Sequence, residues 1–323
     1  MRELRYLHAV QEGIRQEMQK NRNIIILGED IRHSLRGITK GFFEEFGGER
    51  VIDTPLSEIA LVGAGTGLAL SGVRPIVEFQ LSEFVFLAFD QIVNQAQKLR
   101  YMSGGKLSVP VTYIVPSMGS IGGSMAGQHS DITYSYVLQA GMKVVVPSNA
   151  YDAKGLVISA IREDDPVMVY LPAKCLAKKD IVPEEIYAIP LGKGIIKKAG
   201  NDITVIAIGH FVQVALDVAD SIGEEGISLE VLDPRTLLPL DKDLIKNSIS
   251  KTGRVIIIDD SNKTCGFASE LSALIAEELF DYLKAPIRRI ARTVVPVPFS
   301  ALMESFVIPD KQELIDVVHE FDI

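Results

Sequence analysis

Apolar residues recur at helical spacing near the start of the chain. Leu7, Val10, Ile14 and Met18 fall three or four apart among polar residues, which predicts a helix over about 6–20. Asn21-Arg22-Asn23 interrupts it, and Ile24-Ile25-Ile26-Leu27 follows as an unbroken apolar run. Such a run suits a strand buried on both faces of a parallel sheet. It ends in Gly28-Glu29-Asp30, at the carboxyl end of a strand, where open α/β sheets usually place ligands. Similar buried strands are predicted at 76–79, 111–115 and 143–146, separated by helical stretches at 86–101 and 152–161. Strand–helix alternation implies α/β architecture with a mainly parallel sheet.

A composition shift then marks a joint. Residues 175–190 are charged and proline-bearing (Lys178-Lys179-Asp180, Pro183-Glu184-Glu185, Pro190), as an exposed linker should be. Beyond it the alternation restarts, with strands predicted at 203–208, 229–232 and 255–258 and helices at about 212–221, 241–250 and 269–280. The chain therefore reads as two domains, 1–180 and 196–323, joined by 181–195.

Between the first two strands of the N-terminal half lies Arg50-Val51-Ile52-Asp53-Thr54-Pro55-Leu56-Ser57-Glu58. Val51-Ile52 ends a short strand-like run, Asp53-Thr54 offers side-chain acceptors at a turn, and Pro55 fixes φ and forbids ladder pairing. The segment after Glu58, from Ile59 to Leu70, contains only small and apolar residues and one threonine. A helix this apolar all round is expected to be buried, which sets the Glu58 carboxyl at the edge of a core. The simpler reading is a first-turn glutamate favoured by the helix dipole.

Composition narrows the classes. Of 323 residues, 47% are hydrophobic and 23% charged, a globular balance. The net charge of −9 argues against nucleic acid as the main partner, because phosphate binding needs a basic surface. Two cysteines, Cys175 and Cys265, make no disulfide framework and suit a reducing compartment. Met1-Arg2-Glu3-Leu4-Arg5 carries both signs of charge and no signal-peptide core, and no run reaches the roughly 20 apolar residues of a membrane span. A cytoplasmic protein is expected. No Cys/His cluster suggests a transition-metal site, and the glycine-rich stretches at 63–67 and 119–127 lack dinucleotide-loop spacing and P-loop residues respectively.

The order Arg50-Val51, Asp53-Thr54-Pro55, Ser57-Glu58, then Gly72, Arg74-Pro75 and Glu78-Phe79, then Asp90-Gln91-Ile92 and Asn94 resembles the pyrimidine-binding domain of thiamine-diphosphate enzymes. Within that group it resembles the beta subunit of the decarboxylating first component of 2-oxo acid and acetoin dehydrogenase complexes. The stretch 226–233 with Arg235-Thr236 and Pro239-Leu240-Asp241 is similar to the transketolase-like C-terminal domain. The resemblance implies two doubly wound α/β domains with mainly parallel sheets.

It also implies roles. The residue at Glu58 would hydrogen-bond the cofactor's aminopyrimidine nitrogen, sharing a proton that lets the cofactor activate itself. Phe84 would pack on the pyrimidine ring, with Phe86 and Phe89 as core residues, and Leu56 would line the pocket. His129, in Gln128-His129-Ser130 of a glycine-rich loop, would sit at the active-site mouth and exchange protons with substrate or acyl intermediate. His8 and His319 read as surface residues. A potassium site is implied around Ala160, Ile161, Glu163 and Asp165, although relatives commonly have Asp and Asn at the last two. Thiamine enzymes hold Mg²⁺ and the diphosphate with Gly-Asp-Gly and a later Asn; no Gly-Asp-Gly occurs here. A diphosphate needs charge compensation, so an alpha chain would supply that half, in a complex of two alpha and two beta chains.

The implied activity is oxidative cleavage of a 2-oxo acid or acetoin with acyl transfer to lipoyl-lysine on an acyltransferase core. Half of a split transketolase, moving two-carbon ketol units, is the alternative; Asp53-Thr54-Pro55 disfavours it. An idle scaffold chain is a third, which Glu58 argues against. Departures from the family, Ile114 for a common arginine, Asp131 for a glutamine and a glycine-poor loop at 31–36, lie toward the substrate side.

Overall fold

Helix Tyr6–Lys20 forms over the predicted span and buries Tyr6, Ala9, Val10, Ile14 and Met18. In the computed structural model, which describes residues 1–119 and 125–322, the chain forms two units. One comprises Met1–Met118 with Tyr136–Leu191, the other Gly119–Ser135 with Gly192–Ile323.

In the first unit, β1 (Arg2–Arg5) pairs antiparallel with β8 (Lys179–Val182). The main sheet contains β2 (Ile24–Gly28), β3 (Val51–Asp53), β4 (Arg74–Glu78), β5 (Thr112–Met118), β6 (Lys143–Val145) and β7 (Val167–Pro172). These run parallel in the order β6-β7-β5-β4-β2-β3. All of β2 and β7 is buried, the signature of strands covered on both faces. Gly13 of the first helix packs so close to helix Ala150–Arg162 that a Cβ there would meet the Lys154 carbonyl at 3.2 Å.

The charged stretch at 175–190 exposes Lys178, Lys179, Glu184, Glu185 and Pro190, as expected, but its backbone is tied to the first unit's core. Lys154 is fully buried, and its ammonium donates to Glu12 (2.7 Å) and to the carbonyls of Pro183 (2.8 Å), Glu184 (3.2 Å) and Glu185 (2.9 Å). A buried ammonium must find partners, and this stretch supplies three of them. Cys175, Val182 and Ile189 complete its packing into the core.

In the second unit the strands are β9 (Ile195–Lys198), β10 (Ile203–Ala207), β11 (Leu229–Asp233), a short β12 (Thr236–Leu238), β13 (Val255–Asn262) and β14 (Arg288–Arg292). Five form a sheet ordered β14-β13-β10-β11-β9, parallel except for β9 against β11. Helices Phe211–Gly223 and Lys311–His319 pack their apolar residues into a core with Val205, Val231 and Ile256. Among the described residues, no helix is long and apolar enough to cross a membrane.

Two expectations change. Helix Glu58–Leu70 is buried on one side only: Leu61, Val62, Gly65, Thr66 and Ala69 face inward, while Ile59, Ala60, Ala64, Gly67 and Leu70 are exposed. The predicted helix at 86–101 is broken into a 3-10 helix (Ser82–Ala88), a π-helix (Gln91–Gln97) and an α-helical turn (Leu99–Met102). That winding turns Phe86 outward, 43% exposed and edge-on to Tyr136, so it is not a core residue; Phe89 is half-buried.

Candidate functional site

The parallel register sets Gly28, Asp53 and Glu78 side by side at the carboxyl edge of the first unit's sheet. The chain leaves β3 there and turns at once into helix Glu58–Leu70. The Thr54 N–H donates to the Gly28 carbonyl (2.9 Å), and Asp53 Oδ1 accepts from the Arg32 N–H (2.9 Å), so the turn also anchors the 30–36 loop. Ser57 is the extended residue before the helix; its carbonyl, not its hydroxyl, receives the first helical bond, from Leu61 (2.9 Å). Glu58 is therefore the first helical residue and is 7% exposed. Leu56, on the same turn, is 67% exposed, and Phe84 is half-buried in the 3-10 helix. The structure places Leu56, Glu58 and Phe84 in one unit and His129 in the other.

Acidic groups crowd this edge. Burial raises the Glu29 carboxyl, and Asp30 and Glu58 push it further, with Arg36 opposing. Glu78 is more deeply set: burial pushes its carboxyl up to about 8, with Arg36 drawing it back only in part. The Arg36 guanidinium donates to Gln80 Oε1 (3.0 Å), and the Gln80 amide donates to the Glu29 carbonyl (2.6 Å). Glu78, Arg36 and Gln80 were not singled out from sequence as site residues. The available signal was a carboxylate closing an apolar run, Ile76-Val77-Glu78, at a strand's carboxyl end.

These residues fit an aminopyrimidine, a flat heterocycle with both donors and acceptors on its edge. Thr54 Oγ1 and Glu78 Oε2 are buried without a hydrogen-bond partner, the state expected where a polar ligand completes the bonding. Glu58 offers a buried carboxyl and Phe84 and Leu56 offer apolar surface.

His129 is half-buried in the second unit, and its N–H closes a turn onto the Ala126 carbonyl (3.2 Å). Of the glycine-rich loop read around it, residues 120–124, including Gly122 and Gly123, lie outside the described residues. His8 and His319 are exposed, as the sequence indicated; His210 is buried against Phe211.

The four residues of the implied potassium site gather at the C-terminal end of helix Ala150–Arg162, already engaged with cations and donors. Thr112 Oγ1 donates to the Ala160 carbonyl (3.1 Å), and Arg74 donates to those of Ile161 (3.1 Å) and Glu163 (2.9 Å). Lys143 Nζ lies 3.0 Å from both Glu163 Oε1 and Asp165 Oδ2, and Arg100 reaches Asp165 at 2.8 Å. Burial alone would raise the Asp165 carboxyl; Lys143 and Arg100 outweigh it and hold it low. This arrangement does not fit a further cation. Among the described residues no cluster of His, Cys, Asp and Glu is placed to hold a metal ion.

Residues 2–178 match the transketolase pyrimidine binding domain and residues 192–314 the transketolase C-terminal domain. The acetoin:2,6-dichlorophenolindophenol oxidoreductase subunit beta of Bacillus subtilis is 42% identical, covering 97% of this chain and 95% of that protein. The 2-oxoisovalerate dehydrogenase subunit beta of the same organism is 38% identical (95% and 96% covered). The pyruvate dehydrogenase E1 component subunit beta of Staphylococcus epidermidis is 37% identical (98% of each). Among solved structures, a split gene transketolase in an inactive beta4 tetramer superposes with a TM-score of 0.81 over 97% of this chain and 96% of that one; at 22% identity it shows the shared fold. The chain belongs to the beta subunits of the thiamine-diphosphate-dependent first component of acetoin and 2-oxo acid dehydrogenase complexes.

Proposed function

We propose that this beta chain works with an alpha chain to cleave acetoin or a pyruvate-like 2-oxo acid and pass the acyl group to lipoyl-lysine on an acyltransferase core. The observation that carries the reading is Glu58: a buried carboxyl opening a helix at the carboxyl edge of a parallel sheet, beside an unpartnered hydroxyl. Thiamine diphosphate, when bound, supplies a carbon nucleophile that the protein's own side chains lack. Glu58 holds a proton at the pyrimidine nitrogen. Phe84 would pack on the ring and Leu56 would line its pocket, apolar surface that would exclude water from it. His129 gives or takes a proton at the substrate oxygen during transfer.

The chain holds only part of such a site. It has no Gly-Asp-Gly, and diphosphate with Mg²⁺ needs dedicated oxygen ligands. The alpha chain supplies these in our reading, in a complex of two alpha and two beta chains. The exposed face of helix Glu58–Leu70, apolar and uncharged, supports a partner that covers it. The test is reconstitution with the alpha chain and a lipoyl acyltransferase, followed by assay of acetoin, pyruvate and a ketose phosphate. Lipoyl-dependent acyl transfer from acetoin or pyruvate is expected. Two-carbon transfer from the sugar phosphate, without lipoyl turnover, would favour the split transketolase.

A further inference from the structure

The second unit contains a buried charged network that the function above leaves unused. Arg292, the last residue of β14, is 1% exposed. Its Nη2 and Nε donate to Asp260 Oδ1 at 2.7 and 3.3 Å, and its Nη1 donates to the Ser130 carbonyl at 2.7 Å. Asp131 lies 3.8 Å from the same Nη1. Taking a guanidinium and a carboxylate out of water is costly even when they pair, so general stability is a poor reason for the network. Its reach is specific: the bonded carbonyl belongs to the residue following His129.

The neighbouring backbone is held from other directions too. The Tyr134 hydroxyl donates to buried Asp259, which also accepts from the Ser261 hydroxyl. A Cβ on Gly127 would come within 3.1 Å of Pro296, and one on Gly119 within 2.7 Å of Asp260 Oδ2. Ala126 adopts φ 59°, a left-handed conformation that residues with side chains take only when their surroundings impose it. Asp260 thus lies against Gly119 at one end of the segment and, through Arg292, ties Ser130 at the other.

We propose that Arg292 is a positioning residue for His129: held by Asp260, its guanidinium fixes the Ser130 carbonyl and so sets where the adjacent imidazole is presented. The inference rests on the reading of His129 as the residue that serves acyl transfer. The planar guanidinium binds a carboxylate with one edge while another N–H meets the carbonyl; a lysine ammonium has no such fixed fork.

The test uses two changes. Arg292→Lys keeps a positive charge for Asp260 but gives up the fork. Arg292→Met combined with Asp260→Asn removes both charges and strands neither. Each is assembled with the alpha chain and the lipoyl acyltransferase, alone and combined with His129→Ala. Amide hydrogen exchange over 125–131 and the rate of acyl transfer are measured, with cofactor C2-proton exchange as the internal reference. Expected are faster amide exchange confined to 125–131 and acyl transfer slowed about ten- to a hundredfold, the scale of a small misplacement. C2 exchange should be unchanged, and no further loss should appear on top of His129→Ala. Unaltered amide exchange, unaltered transfer, or losses that multiply with His129→Ala would overturn the proposal. If His129→Ala alone leaves transfer intact while the Arg292 changes slow it, the histidine's role fails, and with it the route proposed here.

Discussion

Glu78 ends β4 almost without exposure, and burial pushes its carboxyl up from 4.5 to about 8. Between those values the folded chain keeps a proton that the unfolded chain has lost, so stability falls as pH rises through this window and levels off above 8. The loss is on the order of a few kcal/mol. Glu78→Gln, which stays neutral, should show a denaturant midpoint that declines less steeply from pH 5 to 8 than the parent's, the remaining slope coming from other raised carboxyls such as Glu29 and Asp259. Parallel profiles would show that Glu78 is ionised in the fold. From sequence, Glu78 stood inside a strand and a family motif, but its depth could not be read, because a carboxylate at a strand end faces either solvent or a closed edge depending on the loops above. For Glu58 the reading went further: an apolar helix after it implied a core edge, and the carboxyl is buried.

At the level of elements, helix Glu58–Leu70 has two faces that sequence could not separate, since all its residues are small or apolar. Gly65 faces β4, where an added Cβ would meet Val77 Cγ2 at 2.7 Å; around Gly67 there is nothing within 4 Å. Gly65→Ala should therefore cost about 1–3 kcal/mol through overpacking despite alanine's better helix propensity. Gly67→Ala should stabilise the isolated chain by up to about 1 kcal/mol. Thermal unfolding of the two variants checks this; a Gly65→Ala chain as stable as its parent would mean β4 and the helix have slack. Strands with unbroken apolar runs, such as β2 and the Val255–Ile258 start of β13, were legible because burial on both faces leaves few polar positions. The 82–102 region was not, because its 3-10 and π turns follow from packing rather than from a local period.

For the molecule as a whole, the proposed reading turns on the sequence having no Gly-Asp-Gly, which leaves the diphosphate half of the site to the alpha chain. The isolated chain should bind thiamine diphosphate with Mg²⁺ only weakly, and titration calorimetry should show micromolar or tighter affinity only after the alpha chain is added. Tight binding by the chain alone would contradict a divided site. The two-domain α/β organisation was legible from alternating strands and helices, while the tie of 175–190 to buried Lys154 was not, because it runs through backbone carbonyls that side-chain identity does not reveal. The central claim is that Glu58 manages the cofactor's proton in the assembled enzyme. Its most direct test is hydrogen–deuterium exchange at the cofactor's C2, followed by NMR in complexes carrying Glu58 or Glu58→Gln. The variant should still bind cofactor and exchange about 10²–10⁴-fold more slowly, the usual effect of losing one well-placed acid–base group. An unchanged exchange rate would mean that Glu58 is a helix-end charge and that the chemistry lies elsewhere.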